Sequence, residues 1–287
     1  MRNILISGAT GFLGSNLIEL LSKKNTKLHI LVRKKNLKKF KKKKILKNIN
    51  LISFKNFDDL NNKLKSINAE IVIHCATHYV KKHKFEDLKL LNEANINFGN
   101  VLLENLNNLK VKKFINISTV WENYNGVINK SGNLYAAYKR AFNEIINFYK
   151  IINPRVKFYK ILLADTFGSN DKREKLINVI KENIKNSKKI KLISKNSKIN
   201  LLNIKDVTRG IDLVIKKKIK PDTYVLKNNK YFSFIQIINQ IKKPNIKVNW
   251  IGKKSFKEKF FNYKTLPNWK PVSSDIKDIG KIINNNT

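Results

Sequence analysis

The sequence predicts an α/β chain: a doubly wound parallel sheet with a smaller lobe toward the C-terminus. Three observations predict it. Short apolar runs at residues 4–7, 28–32, 51–54, 70–76, 114–118 and 156–163 have the length and composition of strands buried on both faces. Between them lie stretches with helical spacing, such as 12–23, where Leu13, Leu17, Ile18, Leu20 and Leu21 share a face. The first run breaks into Gly8-Ala-Thr-Gly11-Phe-Leu-Gly14, a glycine turn between a strand and a helix.

Each glycine has a separate task there. Gly8 permits the tight turn, Gly11 lets backbone approach a diphosphate, and Gly14 lets helix and strand pack closely. The helix N-terminus then offers free N–H groups and positive dipole to an anion. Gly8, Thr10, Gly11, Phe12, Leu13 and Gly14 are therefore candidate dinucleotide-binding residues. The second strand ends in Arg33-Lys34-Lys35, where a site for NAD would place an acid against the ribose 2′-hydroxyl. Arg33 would pair with a 2′-phosphate, which favours NADP(H); the bland alternative is a lysine-rich surface helix over 34–46 that begins with an Arg.

With 287 residues, 42% of them hydrophobic, the chain can bury one large core or a core and a smaller lobe. The expected division is residues 1–165 for the cofactor-binding domain, with 203–226 returning to it, and 166–287 for the smaller lobe. No apolar run approaches the ~20 residues of a membrane span, and the N-terminus is itself a strand, so neither span nor signal peptide is expected and the protein is placed in the cytoplasm. The single cysteine, Cys75, lies in an apolar run and reads as a small packing residue. The net charge of +40 invites a nucleic-acid partner, yet only six of sixty basic residues are Arg. Apart from one run at 34–44, the lysines are scattered among many Asn and Ile, the residues of A- and T-rich codons, so no nucleic acid is expected. His74, His78 and His83 match no common ligand spacing and imply no metal.

The fifth strand ends in Thr119, and sixteen residues later Tyr135 and Lys139 stand one helical turn apart. A phenol with a pKa near ~10 is a poor acid–base group at neutral pH, and an adjacent ammonium favours its ionised form. Lys139 supplies such a charge and can hold a nicotinamide ribose, while Thr119 can hydrogen-bond the oxygen that Tyr135 protonates. Tyr138 has only Phe142 as its four-residue partner and is no alternative.

The glycine spacing, Thr119 at a strand end and Tyr135-Ala-Ala-Tyr-Lys139 together resemble the extended short-chain dehydrogenase/reductase superfamily, the NAD-dependent epimerase/dehydratase group, which implies a Rossmann-type fold. A narrower resemblance lies in Asn116-Ile-Ser-Thr119-Val-Trp121, Asn133-Leu-Tyr135-Ala-Ala-Tyr-Lys139-Arg-Ala-Phe142, Asp165-Thr-Phe-Gly168-Ser-Asn170-Asp171 and Lys175-Leu-Ile177. These look like the pattern of CDP-abequose synthases and related nucleotide-sugar 4-ketoreductases, departing from it at Ser118, Tyr138 and Ser169. The resemblance implies that Asp58 faces the adenine, although a helix cap explains Asp58 equally well. It implies that Ala76 flanks the nicotinamide and that Asn95, in a helix over 93–109, buttresses the site. Thr77, His78, Thr119, Trp121, Asp165, Thr166 and Arg173 become the candidate substrate-binding residues; Trp121 reads equally as a pocket wall or a core aromatic. Asp206 reads as an N-cap, and Lys198 stands where epimerases often carry an Arg.

The resemblance also bears on the reaction. Nucleotide-sugar 4,6-dehydratases follow the catalytic Thr with Asp-Glu, and here Val120-Trp121 occupy those places. The implied activity is NADPH-dependent reduction of a CDP- or dTDP-linked 4-keto-6-deoxy sugar for a surface polysaccharide precursor, in a homodimer paired through helices 93–109 and 135–150. A 4-epimerase would use the same three residues, and a non-enzymatic regulator or nucleic-acid-binding relative is the remaining alternative.

Overall fold

The computed structural model describes residues 1–41, 48–243, 246–252 and 254–285. The first half alternates strand and helix: β1 (Arg2–Ser7), α1 (Phe12–Leu21), β2 (Thr26–Arg33), α2 (Leu37–Lys41), β3 (Ile49–Phe54), α3 (Phe57–Leu64), β4 (Ile71–His74), α4 (Asp87–Asn92), α5 (Phe98–Glu104), β5 (Lys113–Thr119), α6 (Leu134–Ile152) and β6 (Lys157–Leu163). The rest comprises β7 (Asp165–Phe167), α7 (Leu176–Lys185), β8 (Ile190–Leu192), β9 (Lys198–Ile199), β10 (Leu201–Asn203), α8 (Ile204–Lys216), β11 (Thr223–Leu226), β12 (Phe232–Ser233), α9 (Phe234–Ile238), β13 (Val248–Trp250), β14 (Lys264–Thr265) and α10 (Ile276–Asn284).

Eight strands make one parallel sheet in the order β14-β11-β6-β5-β4-β1-β2-β3, the doubly wound arrangement expected. The strand order reverses between β1 and β4, which run side by side from Ile4 opposite Ile71 to Ser7 opposite His74. A crevice opens beyond the carboxyl ends of the strands at such a point, and ligands bind there.

Alternation along the strands supplies two apolar layers. Ile4, Ile6, Ile30 and Ile73 face α1 and α8, packing with Leu17, Leu21, Val207 and Ile211. Leu5, Leu31, Val72 and Phe114 face α3, α5 and α6, packing with Leu60, Leu102, Phe142 and Ile146. A third cluster, among them Phe167, Ile177, Ile180, Ile190, Phe234 and Ile279, joins α7, β8, α9 and α10 around the smaller pairings β7–β10, β8–β13 and β9–β12.

Several local expectations change. The helix expected over 93–109 begins at α4, where the Asp87 carboxylate accepts from Lys84 N at 2.9 Å, and stops at Glu104 because Asn105 leaves helical geometry (φ −99°, ψ 14°). Glu93–Asn97 is a single π-helical turn inside it, a local widening often found at functional sites. Within the basic stretch, Lys34–Asn36 form one 3₁₀ turn before the short α2; residues 42–47 lie outside the described residues.

Asp206 is not an N-cap. The Asn203 side chain caps α8 by accepting from Lys205 N at 3.0 Å, whereas the fully buried Asp206 accepts from Val272 N, Ser273 N, Ser274 Oγ and Arg209 Nη1. That carboxylate fastens a segment 66 to 68 residues downstream onto α8. β14 and Trp269 complete the same edge: the Trp269 indole donates to Asp206 O at 3.0 Å, and β14 pairs with β11.

Candidate active site

The crevice between β1 and β4 holds a cavity of about 300 Å³, bounded by the glycine turn, the ends of β2, β4, β5 and β6, and the start of α6. Gly8 takes φ +73°, and a Cβ there would lie 2.6 Å from Ala76 N. A Cβ on Gly14 would lie 2.2 Å from Gly8 O, whereas Gly11 has only Gly8 O nearby, at 3.2 Å. The turn is thus closed by backbone on two sides and open at Gly11, where a diphosphate can approach. No acid sits in the first turn of α1, so its leading amides meet the cavity without a competing carboxylate. This cradle fits a dinucleotide.

Of the cofactor candidates, Gly8, Thr10, Gly11, Phe12, Leu13, Gly14, Arg33, Ala76, Tyr135 and Lys139 all line the cavity. Asp58 does not. It is exposed in the first turn of α3 and is not the cap there, since Asn56 takes that place, accepting from Asp59 N at 2.9 Å. Cys75 is another departure, lining the cavity while it packs against the core; burial pushes its thiol up to about 12, so it is a neutral, unreactive wall. Arg33 closes the far end beside Asn36, with its Nη1 3.8 Å from Glu93 Oε2.

Thr119, Tyr135 and Lys139 converge on the same cavity. Asn133 starts α6 by accepting from Ala136 N at 2.9 Å, which sets Tyr135 and Lys139 on the inner face. Thr119 ends β5, and its hydroxyl accepts from Trp121 N at 3.2 Å. The loop after β4 is clamped by the π-helical turn: Asn95 Oδ1 accepts from Thr77 Oγ1 and His78 N, and its Nδ2 donates to His78 O. Asn95 therefore braces the Thr77–His78 loop, both residues of which line the cavity.

Electrostatics modify the expected chemistry. Burial raises the Tyr135 phenol above its ordinary value, and the charge that most opposes this is the Lys175 ammonium rather than Lys139. Lys139 is almost wholly buried, which lowers its ammonium to about 8. Lys175 had not been assigned a role. It pairs with Asp165 at 2.7 Å and lies 4.5 Å from the Tyr79 ring centre and 4.9 Å from that of Trp121, so it is held by charge and two aromatic faces. The signal was present in the Lys175-Leu-Ile177 motif, but only the fold brings it to Asp165.

A second cavity, of about 380 Å³, shares Tyr79, Trp121, Asp165 and Lys175 with the first and extends among Phe234, Phe256, Glu258 and Phe260. Trp121 is thus a wall between the two. Thr77, His78, Thr119, Asp165, Thr166 and Arg173 line the first cavity. Arg173 is locked by both oxygens of Asp171 at 2.8 Å, bonds Thr166 Oγ1 at 2.9 Å and stacks 4.4 Å above the Phe12 ring. Sequence reasoning missed Glu258, whose carboxyl burial pushes up to about 7 while it accepts from Asn200 N at 2.9 Å. Nothing in the residues around Glu258 marks it.

A parallel sheet reversing at a glycine cradle, with a Thr, a Tyr and a Lys gathered over it, defines a nicotinamide-dependent enzyme of Rossmann type. The chain belongs to the NAD dependent epimerase/dehydratase family, whose model matches residues 4–226. It is 23% identical over 218 residues to the CDP-abequose synthase of Yersinia pseudotuberculosis, covering 74% of this chain and 72% of that one. With the CDP-abequose synthase of Salmonella muenchen it shares 26% over 220 residues, covering 75% and 71%. Among solved structures, UDP-glucuronic acid 4-epimerase from Bacillus cereus, in complex with UDP-glucuronic acid and NAD, superposes with a TM-score of 0.80 at 18% identity, covering 98% of this chain and 99% of that one. dTDP-glucose 4,6-dehydratase from Bacillus anthracis, in complex with NAD, gives 0.78 at 17%, covering 100% and 97%. These likenesses carry the fold. No helix among the described residues is long and apolar enough to cross a membrane.

Proposed function

We propose that the protein is a cytoplasmic NADPH-dependent reductase acting on the 4-keto group of a nucleotide-linked 4-keto-6-deoxy sugar, CDP- or dTDP-linked, in making a surface polysaccharide precursor. The observation that carries this reading is the state of the proton donor. A reduction needs a neutral phenol to give its proton to the new alkoxide, whereas a reaction that begins by oxidising the sugar needs a phenolate. Burial favours the neutral form of Tyr135. The loop after Thr119 agrees: Val120 is buried, Trp121 walls the cavities, and Glu122 turns away from both to meet Lys160 and Ser118, so the loop offers no acid–base pair for expelling water.

When bound, the reduced nicotinamide supplies a hydride to the carbonyl carbon. Tyr135 gives its hydroxyl proton to the carbonyl oxygen, Thr119 hydrogen-bonds that oxygen, and the phenolate regains a proton from solvent. Lys139 holds the nicotinamide ribose. Arg33 binds the 2′-phosphate of NADP(H), Ala76 flanks the nicotinamide, and Thr77, His78, Trp121, Asp165, Thr166 and Arg173 surround the sugar. Helices α5 and α6 form the face by which two copies pair, supported by the exposed Phe148, Ile151 and Ile152 on α6.

The test is NADPH oxidation with a panel of CDP-, dTDP- and GDP-linked 4-keto sugars. Stoichiometric oxidation with one of them is expected. Interconversion of 4-hydroxy epimers without net coenzyme consumption would replace this reading with an epimerase.

A further inference from the structure

We propose that Glu258 reads the nucleobase of the sugar nucleotide and selects cytosine: its one free carboxylate oxygen accepts from the exocyclic amine of that base. The inference rests on the nucleotide-sugar reading above, which leaves CDP and dTDP open, and decides between them.

The second cavity suits a flat ring joined to an anion. The extended segment ahead of β14 is tied to β9, with Lys198 N donating to Phe256 O at 2.7 Å and Glu258 N to Lys198 O at 2.9 Å. Phe256, Glu258 and Phe260, on alternate residues of that segment, all line the cavity. Phe234 stands edge-on to Phe256, with ring centres 6.0 Å apart. Aromatic faces stack on any base and cannot tell one from another. Lys81, Lys191 and Lys259 line the same cavity from three separate parts of the chain. Among the described residues none of the three has an acidic partner, so their charge is free for a diphosphate. Tyr79, Trp121, Asp165 and Lys175 belong to both cavities, so one ligand can run from Tyr135 into the aromatic part.

Three acids line this second cavity. The Asp165 carboxylate is taken by Lys175 at 2.7 Å, and Glu174 is exposed. Glu258 is the acid set among the rings. One of its oxygens accepts from Asn200 N at 2.9 Å, and among the described residues the other has no hydrogen-bond partner. That oxygen needs an N–H from the ligand, because a polar atom left unpaired in apolar surroundings costs free energy. Cytosine carries an amine at the corner of its pairing edge, beside a carbon-bound hydrogen, and carboxylates accept from it. Uracil and thymine put a carbonyl oxygen at that corner and flank their single N3–H with two carbonyls, so a carboxylate meets repulsion along the edge. Guanine presents two adjacent N–H groups, which suit a carboxylate with both oxygens free, and Glu258 has given one to Asn200.

The bond to Asn200 also fixes what a substitution does. In Glu258→Gln the amide oxygen must take the Asn200 N–H, since an NH2 there would set donor against donor. The amide NH2 is then turned toward the cavity, and an acceptor becomes a donor, matched to O4 of uracil or thymine.

Calorimetry with CDP, UDP, dTDP and GDP tests this, at a pH well above the value of about 7 to which burial pushes the Glu258 carboxyl, with Asp165 opposing and Lys175 supporting its charge. CDP and UDP differ only along the edge in question. Wild type should bind CDP tighter than UDP or dTDP by about tenfold or more, as one base-specific contact contributes. Glu258→Gln should reverse that order, and Glu258→Ala, offering neither group, should bring CDP and UDP within about threefold. Should Glu258→Gln fail to fold, the levelling in Glu258→Ala decides alone. UDP, dTDP or GDP bound by wild type as tightly as CDP, or an order that the variants keep, overturns the proposal while the nucleotide-sugar reading stands. Failure of all four to bind overturns both.

Discussion

Coenzyme choice turns on a competition at the end of β2. The Arg33 guanidinium, 22% exposed, has Glu93 at 3.8 Å as its one acidic neighbour among the described residues, and a bound 2′-phosphate would draw it away. At that separation and an effective dielectric near 20, the bare Coulomb attraction is ~4 kcal/mol. Loose, half-exposed pairs retain only about 0–1 kcal/mol after desolvation and side-chain ordering. A charge-assisted bond from guanidinium to phosphate contributes ~1.5–3 kcal/mol. The phosphate therefore wins by roughly 1–2 kcal/mol. Arg33→Ala should weaken NADPH binding by about 5- to 30-fold and leave NADH within about twofold. Glu93→Gln, which removes the competitor, should tighten NADPH by up to about fivefold. Isothermal titration of both coenzymes against both variants measures this. Equal losses for NADPH and NADH in Arg33→Ala would show that Arg33 meets no 2′-phosphate.

Three further outcomes are expected. Tyr135→Phe should cut turnover by roughly 10²-fold or more with coenzyme affinity nearly unchanged; turnover equal to wild type removes it as the proton donor. Glu258 has a folded-state pKa of about 7 against 4.5 unfolded, so its contribution to stability is fully present below 4.5 and lost as pH rises through 7. Glu258→Gln should leave the melting temperature unchanged near pH 4.5 and raise stability by ~1–3 kcal/mol above pH 7, and an equal effect at both pH values would contradict the burial argument. A Cβ at Gly99 would lie 2.1 Å from the Phe142 ring, so Gly99→Ala should destabilise by ~1–3 kcal/mol in denaturant unfolding, by prising α5 from α6; an unchanged midpoint would mean the ring moves freely.

The first six strands were legible in the sequence because a strand buried on both faces leaves an apolar run, as in residues 71–73. The site was legible where local geometry makes it: the glycine cradle is a property of seven consecutive residues, and Tyr135 and Lys139 are one helical turn apart. What was hidden depends on distance along the chain. Lys175 reaches Asp165 across ten residues, and Asp206 binds Ser273 across sixty-seven. Its position in the first turn of α8 looks like a cap, because capping and long-range bonding ask for the same residue type. As a cap Asp58 misled in the same way, since Asn56, two residues before it, takes that place. The field on Tyr135 could not be anticipated either, since Lys139 is the cation nearest in sequence while Lys175 is the one that acts most strongly on the phenol.

The fastening at Asp206 sets an order on biosynthesis. Its carboxylate has only Arg209 as a side-chain partner until Val272, Ser273 and Ser274 have been made, and α10 begins immediately afterwards under its own Asp275 cap. A nascent chain halted before residue 264 would expose a raw sheet edge at β11 and lack the wall that α10 gives the smaller cluster. Ribosomes must therefore pass Asn284 before this fold can close on itself, and translation products that stop short of it should be cleared by proteases rather than accumulate.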